Sequence, residues 1–165
     1  MKRSDEAEYR DYVTARMDVL RRTAYLLCRD WHLADDLVSI TITKLYRHWL
    51  RAKGMDHLDA YVRRVLFRTW LDEKERPWRR EEPAGEMPDV ASAAAAGIED
   101  RDGLLDLLAA LPPRQRASVV LRMYCDLSVE STAEILGCST GTVKSHTARG
   151  LAVLRARAVA AHVTD

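Results

Sequence analysis

Between positions 139 and 149 the chain is dense in side chains that carry charge or make hydrogen bonds, seven of which are candidate contacts: Ser139, Thr140, Thr142, Lys144, Ser145, His146 and Arg149. The set suits duplex DNA. Lys and Arg pair with phosphate oxygens or guanine edges, and Ser and Thr hydroxyls serve either role. The first turns of a helix beginning here would add backbone N–H groups that bind phosphate. Catalytic chemistry is not suggested. The chain has no Gly-rich phosphate loop, nucleophile elbow or paired metal-ligand motif, and His48, His57 and His162 have no evident catalytic partners.

The elements that must position these side chains are legible around them. Leu127 to Leu154 reads as a short amphipathic helix, a Gly-containing turn and a second polar helix, the pattern of a helix-turn-helix. Ser128 suits the N-cap of a helix from Val129 to Leu136. Gly137 can close that helix in a left-handed conformation. Ser139 or Thr140 caps the last helix, which is expected to run to about His162. Ala133 and Leu136 on the first helix, with Val143 and Leu151 on the second, should lock the pair to a core. Upstream, Asp102 to Leu111 reads as a Leu-rich helix ended by Pro112-Pro113. Pro113 or Arg114 starts the next helix, which should turn Ala117, Val120, Leu121 and Tyr124 inward.

The first half has helical spacing of a different kind. Apolar residues recur from Tyr9 to Cys28, with a break expected near Asp18. A second helix spans about Leu33 to Trp49, with Leu33, Leu37, Ile40, Leu45 and Trp49 as its apolar stripe. Gly54 interrupts, and a third helix runs from about Leu58 to Glu75, where Pro77 stops it. From Pro77 to Gly97 the sequence is acidic and rich in Pro and Ala, with little to bury. The expected fold is all-α, with two small helical domains (1–76 and 101–165) joined by a flexible acidic linker (77–100).

Hydrophobic residues make up 47% of the chain, enough for a core, whereas the net charge of +1 places any DNA contact in local patches. Arg63 to Arg80 and Arg114 to Arg157 are such patches. The amino-terminal MKRSDEAEYR lacks the apolar core of a signal peptide, and no apolar run approaches a membrane span, so the expected location is the cytoplasm. Cys28, Cys125 and Cys138 are expected to be free thiols. Cys28 and His32, four apart, supply only two ligands, too few for a zinc site, and neither metal nor cofactor is expected.

The string GTVKSHTARGLAVLR, Gly141 to Arg155, resembles two families of recognition helix: the C-terminal domain of sigma factors and the helix-turn-helix of LuxR-type response regulators. LPPRQRASVVLRMYCDLSVESTAEILG, Leu111 to Gly137, is more similar to the sigma pattern. The first half decides between them. A LuxR-type regulator would carry a receiver domain with strands and an acidic pocket. Instead, TAYLLCRDWHLADDLVSITITKLYRHW (Thr23 to Trp49) and DAYVRRVLFRTWLDEKERPWRR (Asp59 to Arg80) resemble the −10-binding domain of short, actinobacterial-type extracytoplasmic-function sigma factors.

That resemblance implies partners and roles. The partners are core RNA polymerase, through its β′ and β subunits, promoter DNA and, as is common in the family, an anti-sigma protein. The chain alone should be monomeric. The seven residues from Ser139 to Arg149 would read the −35 element. Trp49, Lys53, Arg63, Arg64 and Arg68 would contact the −10 element, Trp49 near a captured base and the arginines along phosphates. From the residues alone, Trp49 is equally a core side chain and the Arg row a solvated face. Asp35, Asp36, Leu37, Ser39 and Ile40 would contact core polymerase. Ser39 stands where the family usually has Gln, and Ile40 where an acidic residue or Thr is common. Competing readings are a regulator that acts without polymerase, a dimeric repressor and an enzyme. The first half disfavours the regulator. The lack of a spare dimerisation helix disfavours the repressor, and the missing catalytic motifs the enzyme.

Overall fold

The computed structural model describes residues 1–76 and 99–163, apart from the side chains of 99–102 and 161. Among the described residues all regular structure is helical. The expected linker lies, but for its last two residues, outside them.

The first group holds α1 (Arg3–Cys28), α2 (Trp31–Arg47), the single turn α3 (Trp49–Ala52) and α4 (Leu58–Glu75). Helix α1 is continuous, without the break expected near Asp18, because Val13, Leu20, Ala24 and Leu27 keep one face buried along its length. It ends where Arg29 turns left-handed (φ 55°) and donates its N–H to the Tyr25 carbonyl. Asp30 then caps α2 by accepting from the N–H groups of His32 (2.8 Å) and Leu33 (3.2 Å). This cap starts α2 two residues earlier than hydrophobic spacing indicates. Helix α4 has the expected bounds.

The second group holds α5 (Glu99–Ala109), α6 (Pro113–Val119), α7 (Val129–Leu136) and α8 (Thr140–Val163). A π turn, Val120–Tyr124, extends α6. The wider turn shifts the helical phase, so Tyr124, expected inside, is 52% exposed. Asp126 in a left-handed conformation (φ 52°) and the Leu127 N–H bonded to the Leu121 carbonyl redirect the chain. The caps expected from sequence are present: Ser128 Oγ accepts from Ser131 N–H, and Gly137 adopts φ 64°.

One apolar cluster runs through both groups. Leu27, Phe67, Trp70 and Leu71 belong to it together with Leu108, Leu111, Leu121 and Leu136. The groups meet where α4 packs on α7 and α1 on α5. Four arginines span this junction. Arg68 Nε donates to the Ile135 carbonyl (3.2 Å) and Arg116 to the Leu27 carbonyl (2.7 Å). Arg114 grips Glu75 (2.8 and 3.4 Å), and Arg29 pairs with Asp106.

Candidate nucleic-acid interface

The α7–turn–α8 unit is fixed from behind. Ala133, Leu136 and Val143 are buried, and Leu151 half-buried, as their spacing predicts. Along α8, Val143, Thr147 and Gly150 form the buried stripe, at the 3–4 spacing of one helix face. Lys144, Ser145, Ala148 and Arg149 fall on the opposite side; Lys144 and Arg149 are exposed and Ser145 half-exposed. Ser139 and Thr140 lie exposed at the start. Ser139 Oγ accepts from the Thr142 N–H (3.1 Å) and exchanges a hydroxyl bond with Thr142 Oγ1 (2.9 Å). Ser139 is therefore the N-cap, and its hydroxyl is partly committed to that role.

His146 sits at the edge of this face, half-buried, its Nδ1 enclosed with no hydrogen-bond partner among the described residues. Burial first, then the Arg114 and Arg149 guanidiniums, hold its pKa below the ordinary 6.5. An unfolded chain takes up the proton as pH falls through 6.5; the folded chain does so only at lower pH. Stability should therefore decline as pH drops below 6.5. Urea midpoints on either side of that pH should differ less in His146→Gln than in the parent. Equal slopes would remove His146 as the cause.

The residues expected at the −10 element are not gathered into one open face. Trp49 is buried (3% exposed), packed edge-on to Tyr9 (5.4 Å between centroids) and tilted on Tyr12 (5.8 Å). It is a core residue in this state and offers no surface for base capture. Lys53 Nζ is bound to Asp5 (2.6 Å) and Glu8 (3.0 Å) of α1. Arg63, Arg64 and Arg68 are half-buried on α4. Arg63 is near enough to Cys125 of the second group to act on its thiol, and Arg68 is bonded to Ile135.

On α2, Asp35, Asp36, Ser39 and Ile40 are exposed, whereas Leu37 is 5% exposed and belongs to the core. Leu37 therefore serves mainly to hold the helix in place, and what it exposes lines the cleft beside Asp36. Asp35 is bonded by Arg21 (2.6 Å), which keeps its carboxyl below the usual range. The same guanidinium lies 5.1 Å from the centroid of Trp31, and Trp31 stacks on Tyr25 at 4.1 Å. Ile40 and Leu33, 40% and 45% exposed, flank Asp36 over a cleft that Cys28, Trp70, Glu73 and Lys74 complete. Sequence reading assigned Leu33 and Ile40 to the core stripe. Their seven-residue spacing places them together with Asp36, beside the buried Ala34–Leu37–Val38–Thr41 face rather than in it. The cysteines are free thiols; burial raises Cys28 to about 11 and raises Cys125. Such thiols are weakly nucleophilic.

Comparison with known proteins supplies the remaining constraint. The family model described as Sigma-70, region 4 matches residues 101–154. Over 154 residues, 93% of this chain and 87% of the other, the sequence is 38% identical to the RNA polymerase sigma-E factor of Streptomyces coelicolor. It is 30% identical over 137 residues to the ECF RNA polymerase sigma factor SigM of Mycobacterium tuberculosis, covering 82% and 69% of the two chains. The fold matches a chain in the co-crystal of the sigma factor RpoE with the anti-sigma factor NepR from Bartonella quintana. The TM-score is 0.71 over 90% of this chain and 94% of that one, at 23% identity, which is a likeness of fold.

Proposed function

Because the chain belongs to the extracytoplasmic-function RNA polymerase sigma factors, we propose that it binds core RNA polymerase and directs it to promoters through two separate grips. The regulator reading, DNA binding without polymerase, loses its basis with that membership. Residues 101–165 take the −35 element, with Lys144, Ser145 and Arg149 toward the duplex. Residues 1–76 take the −10 element and polymerase. The chain works in the cytoplasm, where its polymerase is, and performs no chemistry of its own. Among its described residues no helix is long and apolar enough to cross a membrane.

The observation that carries the reading is the sidedness of α8. Its buried stripe is apolar or small, and its outward stripe holds cations and a hydroxyl. A recognition helix needs that division, and one serving only as packing does not. On α2 the exposed group Asp36, Ser39 and Ile40, beside Leu33, supports a polymerase contact of mixed apolar and polar character. An anti-sigma protein would gain most by covering these same surfaces.

Run-off transcription with core polymerase tests the whole reading. The chain should convert promoter-blind core into an enzyme with defined start sites. Lys144→Ala or Arg149→Ala should weaken −35 binding by about 1–3 kcal/mol where the lost contact is bidentate to guanine. A phosphate contact would instead weaken all sequences alike. Unchanged promoter activity in both variants would dismiss α8 as the recognition helix.

A further inference from the structure

His146 sits on α8 between the helix's two sides. Val143, Thr147 and Gly150 form the buried stripe, and Lys144, Ser145 and Arg149 the outward one. At about 100° per residue, position 146 falls beside both Gly150 and Arg149. Gly150 marks where α6 comes close, since a Cβ there would lie 3.6 Å from the Gln115 carbonyl. The residue before Gln115 is Arg114, whose guanidinium acts on the His146 ring, as does that of Arg149. The imidazole thus has a guanidinium from each of two helices beside it.

Among the described residues no carboxylate acts on the ring to balance them. Glu130 and Glu134 of α7 are exposed, and Asp106 of α5 pairs with Arg29. Glu75 is bonded to Arg114 (2.8 Å), and the other cation of α6, Arg116, is bonded to main-chain carbonyls. Because Nδ1 is enclosed, a partner from outside the chain reaches the ring through Nε2. In the free chain, burial and the two guanidiniums disfavour a third positive charge here. A phosphate oxygen at Nε2 reverses that balance. It offsets the guanidinium field and accepts a charge-assisted hydrogen bond.

We propose that His146 binds a DNA backbone phosphate as an imidazolium, taking up a proton from solvent as the −35 complex forms. This rests on the reading of α8 as the recognition helix. The bound ring keeps its proton to higher pH than the free ring does. Between those two limits the complex holds more protons than its separated parts, so affinity rises as pH falls. For one proton the rise is up to about tenfold per pH unit. An arginine at this site would hold its charge throughout and give no such dependence.

The test uses core polymerase loaded with the full chain, and a fluorescent duplex carrying a promoter defined by run-off transcription. Polymerase and the other histidines add pH dependence of their own, so the readout is the difference between variants. His146→Gln keeps a hydrogen-bonding side chain that cannot titrate, and His146→Arg fixes the charge. Relative to His146→Gln, the parent should gain about fivefold in affinity, the low end of coupling factors, between about pH 8 and about pH 6. His146→Arg should keep the tighter affinity across that range. At about pH 8 it should also steepen the dependence of log K on log salt by roughly 0.9 over the parent, one phosphate contact. Equal pH profiles for the parent and His146→Gln would overturn the proposal, as would a salt slope that His146→Arg leaves unchanged. Equal binding of the parent holoenzyme to a duplex with a scrambled −35 element would instead refute the recognition-helix reading, and this proposal with it.

Discussion

Arg116→Ala should lower stability by about 3–5 kcal/mol, the range for stripping the partner from a buried charged contact. Arg116 is 9% exposed, and among the described residues no carboxylate is bonded to it. Its guanidinium donates to three carbonyls instead: Leu27 (2.7 Å), Ala109 (2.9 Å) and Leu111 (3.0 Å). Two of these acceptors close helices. Leu27 lies in the last turn of α1, and Ala109 is the last residue of α5. Each helix end carries about half a negative charge, so two ends together offset roughly one buried cation. The Trp70 ring, 5.3 Å from the guanidinium carbon, adds its π face. Burial still lowers the Arg116 pKa, but a guanidinium keeps its proton at any workable pH.

Removing the side chain strands three acceptors and opens the seam between the groups. Urea denaturation should show a lower midpoint with an unchanged slope if the whole chain still unfolds as one unit. Arg116→Met separates charge from volume. Met fills much of the space but donates nothing, so it should recover only the packing part of the loss. A Met variant as stable as the parent would mean that the guanidinium bonds contribute no net stability.

Arg116 also marks where sequence reading stops. Local signals placed several element ends within each group. Gly54 precedes α4, Ser128 and Gly137 bracket α7, and the polar cluster after Cys138 falls on the exposed start and outer side of α8. Each of these is a short-range rule about caps, breakers or periodicity. The seam is different. Arg68 and Arg116 find main-chain carbonyls far away in sequence, and a carbonyl acceptor has no residue type to betray it. The same blindness explains α4. An Arg row at helical spacing looks equally like a DNA face or a solvated face, and Arg68 instead bonds the Ile135 carbonyl of the other group. Trp49 was undecided for a related reason. Its spacing fitted both a pocket and a core, and the aromatic residues that enclose it, Tyr9 and Tyr12, come from a helix nearly forty positions earlier. Tyr124 was misplaced because a π turn breaks the period on which the inference relied.

Gly150→Val should destabilise the second group by about 3 kcal/mol or more, at the upper end of overpacking losses. A glycine inside a long helix already costs about 1 kcal/mol relative to Ala, so its presence in α8 calls for a packing reason. That reason is close approach of α6. A Cβ on residue 150 would lie 2.7 Å from Val119 Cγ2, 3.5 Å from Leu111 Cδ1 and 3.6 Å from the Gln115 carbonyl. Val119 is buried, and a β-branched side chain in a helix has one strongly preferred rotamer. It cannot swing aside, so α8 itself must move. Because α8 also carries Lys144 and Arg149, the same shift should weaken DNA binding without touching any side chain proposed to face DNA. Gly150→Ala divides the effects: the gain in helix propensity opposes the clash, and a net loss is expected from thermal denaturation. The decisive variant is Gly150→Ala with Val119→Ala. Removing the Val119 methyl groups should relieve the clash, so the double variant should lose less than the sum of the single losses. Strict additivity of the two substitutions would show that α6 and α8 do not meet at this glycine as described.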